Sequence, residues 1–324
     1  MPRRTAISLA LAAGLVTAGL AAAPASAALV TYCIGTGGAV TVPNDLYVPA
    51  GESCSLEGTI VTGNVSVANG GNLVITGGNL AGSVNVAGNG YLDASETTIG
   101  GPVVLAAGGY GVYLKDADSG NVTVRAKGTT AIDSFLFVEG TSITGTVNAQ
   151  AGEVRLDANT EISGNLTTNG TYYTDLHDSF VDGTVSVLNS ANGSVLCGSS
   201  VRGKTTFAGN LGGVQLGPNG SLDSCASGGF FGKDVSITST TGGVTVDDNI
   251  IDGTLTATGN NPVAQIADNN RIRRGVTNDP APAAARAAAK SMARSTVDRD
   301  DESKADSRRT AAVQEATAAG AADL

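Results

Sequence analysis

Short alternations of apolar and polar residues recur from about residue 44 to residue 273, and they keep a period. The signature is Gly-x-Val-x-Val. It starts at Gly63, Gly82, Gly101, Gly120, Gly145, Gly164 and Gly183, then returns as Gly203-Lys-Thr-Thr-Phe and Gly253-Thr-Leu-Thr-Ala. The first intervals are 19 residues, and the later ones run from 19 to 25. Degenerate copies begin at Asn44 and Lys233, which makes 11 units. Each unit holds three apolar clusters. The first is an alternating pair such as Val65/Val67, Val84/Val86 or Val122/Val124. The second follows eight to ten residues on, as in Leu73/Ile75, Leu92/Ala94 and Val154/Leu156. The third is often one residue just before the next Gly, as with Leu80, Ile99, Ile143, Ile162, Val181, Ile250 and Ile272.

Alternation over three to five residues predicts short strands with one buried face. Gly, Asn, Asp, Ser and Thr separate the clusters, as turns require. A unit this short cannot bury its own apolar edge, but stacking the units does so and pairs every strand with its neighbours. The pattern therefore predicts an all-β fold, a single parallel β-helix or β-solenoid of about 11 coils of 19–20 residues over 44–275. At about 4.8 Å per coil the rod would be roughly 50 Å long. Two units are longer. The one from 120 to 144 carries Phe135, Leu136 and Phe137, and the one from 203 to 232 carries Cys225, Phe230 and Phe231. Both are expected to leave the coil as loops.

This spacing resembles the right-handed parallel β-helices, including bactofilin-like and other polymer-forming solenoids. It is also similar to exported actinobacterial proteins with Gly-x-Val-x-Val repeats. The resemblance covers most of the chain and implies architecture, with right-handed winding, rather than an activity.

Outside the repeat, Arg3 and Arg4, the apolar run Ala6 to Ala23 and the sequence Ala25-Ser26-Ala27 predict a secretory signal peptide over 1–27. The expected location is therefore secreted or extracellular. No later stretch is apolar enough to span a bilayer, so no membrane association is expected after cleavage. Residues 28–43 are expected to form an N-terminal cap. The stretch 276–324 reads as an Ala- and charge-rich tail, helical or disordered, in which Arg286, Lys290 and Arg294 would share one helical face. That face is either a contact for an anionic wall polymer or a solvated stripe.

With 45 Gly, no Trp and only 4% aromatic residues, the core must be aliphatic. The net charge of −10 argues against nucleic-acid partners. Four cysteines in an exported chain predict two disulfides, with three connectivities open. Nearness in sequence favours Cys33–Cys54 and Cys197–Cys225. No Cys-x-x-Cys, phosphate loop, nucleophile elbow or calcium-binding nonapeptide is present, so neither a cofactor nor a metal is expected.

Two acidic groups are candidates for chemistry. His177, the lone histidine, adjoins Asp178, with Asp175 two residues before it and Asp157 one unit earlier. Such a set can act as acid and base, or it can be ordinary turn chemistry. Asp247 and Asp248, with Asp252, Asp268, Arg271 and Arg273 nearby, offer paired carboxylates of the kind glycoside hydrolysis uses. Flanking the buried valines of the first strand are Asn64/Ser66, Asn121/Thr123, Asn165/Thr167, Thr184/Ser186 and Thr254/Thr256. Stacking aligns them into files of small polar groups that could meet a repetitive ligand. Two functions follow as expectations. One is a non-enzymatic solenoid that binds or organises extracellular or envelope material, such as a polysaccharide or cell-wall polymer. The alternative is a β-helix polysaccharide lyase or glycoside hydrolase. The oligomeric state is left open.

Overall fold

The computed structural model describes residues 29–280 and 301–324. The expected leader and the positions Arg286, Lys290 and Arg294 lie outside the described residues. From Val30 the chain winds through three short strands per coil. Strands β1 (Val30–Tyr32), β2 (Gly35–Gly37) and β3 (Thr41–Val42) form the first coil. They pair in parallel with Asp45–Val48, Ser53–Glu57 and Ile60–Val61 of the second. The triplet repeats as far as Leu255–Thr258, Gln265–Ile266 and Arg271–Ile272, and Val276–Asn278 opens one further turn. The result is a parallel β-solenoid with sheets of 13, 12 and 12 strands, each coil stacked on the one before.

There are thus twelve coils rather than eleven. The extra one is 30–42, expected as a separate cap. Register places Thr31 opposite Leu46, and Gly35 and Gly37 opposite Cys54 and Leu56. Apart from Val42, its inward positions are therefore held by small residues that carry no hydrophobic signature. The long units also divide differently from expectation. Phe135–Glu139 is a regular strand of the second sheet and Phe230–Phe231 one of the third, so the inserted residues precede them. In the triplet before the last full one, Ile251 is buried and Ile250 is 39% exposed, a one-residue shift that reverses which face points inward.

The core is a column of Val, Leu, Ile and Ala, with Phe207 and Phe231 replacing smaller residues late in the rod. Both disulfides pair as sequence nearness favoured. Cys33 and Cys54 are fully buried within this column, so that bridge is part of the core. Side-chain amides tie corners together. Asn210, Asn249 and Asn260 accept from the backbone N–H of Ser190, Gly229 and Thr240 in the coil before, at 2.8–3.0 Å. Such bonds satisfy backbone groups that the strands leave unpaired.

The tail returns to the start of the rod. Helix α1 (Asp301–Ala319) lies across the strands of the second sheet over its first coils. Arg309 meets Asp93 and Glu315 meets Ser53 two coils earlier. Six residues of helix rise about 9 Å, close to two coil spacings of about 4.8 Å, so helix and coils stay in step. Ala305, Ala312 and Ala316 are buried and permit close approach. Arg309 donates from Nε to Asp93 Oδ2 at 2.6 Å and from Nη2 to Oδ1, and its guanidinium lies 5.0 Å from the Tyr113 ring centre. Tyr91 donates to the same carboxylate at 2.6 Å. Arg308 lies 4.8 Å from the Tyr110 ring centre and donates to Asn72 Oδ1 at 2.7 Å.

Beyond the helix, Ala321 bridges Thr36 in parallel. Thr36 N donates to Gly320 O and Ala322 N to Thr36 O, both at 2.8 Å. The chain's last residues therefore extend the second sheet past β2 and cover its edge. Gly35 and Gly37 make this possible. A Cβ at Gly35, whose φ is +102°, would sit 2.2 Å from Gly320 O, and one at Gly37 would sit 2.3 Å from the Leu324 side chain.

Asp93 is 1% exposed and Arg309 33%. Removing the arginine strands a buried carboxylate, so Arg309→Ala should weaken docking of α1 by about 2–3 kcal/mol, the low side for a buried pair because the arginine is partly solvated. Hydrogen exchange should show the amides of 304–319 losing protection while the coils keep theirs. Unchanged protection in α1 would refute this account of the docking.

Candidate functional site

Two regions gather the candidate residues. The first is the outer face of the first sheet. Its central outward positions run in unbroken register through Tyr47, Ser66, Asn85, Val104, Thr123, Asn148, Thr167, Ser186, Thr206, Ser236, Thr256 and Thr277. Ser66, Thr123, Thr167, Ser186 and Thr256 thus form one file of half-buried small polar groups. Asn64, Asn121 and Asn165 stand one position before the strand, and their oxygens are engaged. They accept from the backbone N–H of Ser83, Thr146 and Thr184 in the following coil at 2.8–3.0 Å. Thr254 is held likewise, its N–H and hydroxyl both donating to Asp234 Oδ1. Those two bonds pull the Asp234 carboxyl below its ordinary pKa. At the N-terminal end of the file, Tyr47, Ser66, Asn69, Asn85, Val104 and Arg125 line a shallow open groove. The Tyr47 ring is braced edge-on by Tyr32 at 5.4 Å.

The second region surrounds His177. In the strand Tyr173–His177 the residues alternate, so Asp175 and His177 share the outer face of the second sheet. The next strand sets Val195 beside Asp175 and Cys197 beside His177. Cys197 is bonded to Cys225, which lies in the insertion between Leu216 and Phe230. Within that insertion the Gln215 amide grips Asp223. Its Oε1 accepts from Asp223 N at 3.1 Å and from Leu222 N at 2.9 Å, and its Nε2 donates to Asp223 O at 2.9 Å. Asp223 Oδ2 consequently lies 3.2 Å from His177 Nε2, and Asp175 Oδ1 lies 3.0 Å from the same nitrogen. Burial opposes charge on the imidazole. The hydrogen bonds and negative charges of Asp175 and Asp223 outweigh it and raise the His177 pKa to about 10. Among the described residues this is the group of ligand-type side chains compact enough to hold a metal ion.

The other expected members stand elsewhere. Asp178 is exposed at φ +44° and points to Gly198 of the next coil. Asp157 pairs with Arg155 at 3.2 Å. Asp247 is buried and accepts from Asn219 Nδ2 at 2.6 Å, whereas Asp248 is exposed at φ +57°. The two adjacent carboxylates thus occupy different surroundings, and Asp247 anchors the same insertion from its other flank. Asp252 pairs with Arg273 at 3.1 Å near the surface. Asp223 and Gln215 were not singled out from sequence. The available signal was the 20-residue step from His177 to Cys197, which brings the Cys225 loop onto the histidine.

The chain is a parallel β-solenoid protein with a disulfide-pinned insertion on one sheet and an open polar face on another. Among the described residues no helix is long and apolar enough to cross a membrane. Comparison with protein-family models, with curated proteins and with solved structures finds no match.

The insertion is held by the Cys197–Cys225 bond, the Gln215 amide, the His177 contact and Asp247–Asn219. Replacing both Cys197 and Cys225 with Ser should lower the unfolding free energy by about 3–4 kcal/mol, the chain-entropy value for a loop of this length. It should also open 217–229 to proteolysis, while far-ultraviolet circular dichroism keeps the solenoid signal. Equal resistance to protease in both forms would show that the other contacts suffice.

Proposed function

We propose that this protein is exported and acts as a non-enzymatic solenoid that binds or organises an extended extracellular polymer, a polysaccharide of the envelope or its surroundings, along the first sheet. The observation that carries the reading is the unbroken outward file from Tyr47 to Thr277. Ten of its twelve positions are Ser, Thr or Asn, Tyr47 and Val104 being the exceptions, and the coils repeat about every 4.8 Å, a step comparable with the rise of one sugar in an extended glycan. A regular polymer can meet such a face residue by residue, and many weak contacts then add. The groove at its start supplies what sugar faces need, an aromatic ring at Tyr47 and amide groups at Asn69 and Asn85. Arg125 adds a cation for acidic sugars. Export is supported by the leader pattern, and two disulfides fit an oxidising compartment.

The test uses residues 28–324 and a panel of neutral and acidic polysaccharides, with and without calcium. Co-sedimentation should show retention on at least one polymer. Tyr47→Ala should weaken it about five- to tenfold, the worth of one aromatic contact. New reducing ends or unsaturated products would overturn the non-enzymatic reading. Binding that ignores Tyr47 and Arg125 substitutions would move the surface elsewhere.

A further inference from the structure

At the insertion, two carboxylate oxygens are aimed at one imidazole nitrogen. A ring nitrogen carries a single hydrogen, and hydrogen bonds weaken steeply away from linearity. One hydrogen on that nitrogen can be directed along only one of the two contacts at a time, while one metal ion in its place reaches all three groups. The separations agree. His177 Nε2 lies 3.0 and 3.2 Å from the two oxygens, and the three atoms lie within 4.8 Å of one another. Tetrahedral bonds of about 2.0–2.2 Å place neighbouring ligand atoms about 3.3–3.5 Å apart.

The frame is built before any ion arrives. Asp175 and His177 project from one strand at a two-residue step, and the Asp175 side chain is 3% exposed. Asp223 is presented by Gln215, itself 1% exposed, which holds both its N–H and its carbonyl. The Cys197–Cys225 bond closes the loop beside the histidine. Ligands placed by a rigid strand and by fixed outer partners are the arrangement that metal sites depend on. His177 and Asp223 each keep 21% side-chain exposure, which leaves an approach for an ion.

We propose that Asp175, His177 and Asp223 form a binding site for a divalent transition metal, zinc(II) first, with remaining coordination positions taken by water. The ion replaces the hydrogen on Nε2, which leaves to solvent. Calcium and magnesium favour six or more oxygen ligands, whereas one imidazole nitrogen with two carboxylates suits a borderline metal. The site lies on the second sheet, separate from the polymer face, so either reading can fail alone. Its ion ties the insertion to the strand it covers.

Isothermal titration of the full mature chain, stripped with chelator, checks this with zinc chloride and calcium chloride as probes. Expected are one zinc per chain, and calcium weaker by about 100-fold or more. His177→Ala should cost over about 100-fold in zinc affinity, since even outer partners of a metal site cost about 10–100-fold. Asp223→Asn, confined to the insertion, keeps the test decisive if His177→Ala does not fold, and should lower affinity at least tenfold. Cobalt(II) should give visible absorption in the wild type and not in the variants. No stoichiometric zinc uptake, or uptake equal in wild type and Asp223→Asn, overturns the proposal.

Discussion

No coil of this molecule can stand alone. A turn of 19 or 20 residues has one or two inward side chains per strand and no facing layer, so its apolar surface is covered only by the coil above and the coil below. Parallel pairing in three sheets meets that need and satisfies most backbone groups at once. Every other feature is conditioned by this stacking. Turns must repeat with the same reach, which Gly at close approaches and Asn or Asp at left-handed corners allow. Core side chains must match in size from coil to coil, which explains a column of aliphatics with few rings.

Stacking solves the interior and creates a difficulty at each end, where three strand edges stop. At the first coil the protein answers from its own C-terminus. Residues 320–322 add a parallel bridge to the edge of the second sheet, and the Leu324 and Leu56 side chains meet over Gly37. The space for them exists because Gly35 and Gly37 hold no side chains. The same return brings α1 across outward-facing Tyr91, Tyr113, Phe135 and Phe137, so much of the chain's small aromatic stock serves outside the core. Asp93, nearly inaccessible, is tolerable there because Arg309 neutralises it and Tyr91 donates to it.

The repeat was readable because inward pairs such as Val65/Val67 and Leu73/Ile75 are apolar and evenly spaced. The first coil was not, since Thr31, Cys33, Gly35 and Gly37 occupy inward positions without looking apolar. Helix α1 was hidden for a related reason. Its contact face is Ala305, Ala312 and Ala316, with Arg308 and Arg309 between the first two, which in sequence resembles a solvated tail, and its partners Asp93 and Tyr113 lie some 200 residues away. Of the candidate site, His177 and Asp175 were visible as near neighbours in sequence, with His177 expected in the turn after the second strand, whereas both stand on the strand Tyr173–His177. Asp223 was not visible, because an insertion breaks the period, and a residue off the period has no register from which to place it.

A position inside the repeat recurs in every coil and is already committed, inward to the core, at the corners to cross-coil bonds, or outward to a file of similar neighbours. Recurrence favours binding something that itself recurs, which is the ground for proposing a polymer at the first sheet. A unique constellation needs residues that differ from their counterparts one coil away. The insertion after Leu216 supplies them. It carries Asp223 onto a strand where the positions equivalent to His177 are Asp157 before it and Cys197 after it. Of these three successive residues, the first pairs with an arginine, the second meets two carboxylates, and the third anchors the loop that brings one of them. The break in the repeat and the departure from its side-chain file therefore coincide, and they do so at the chain's single histidine.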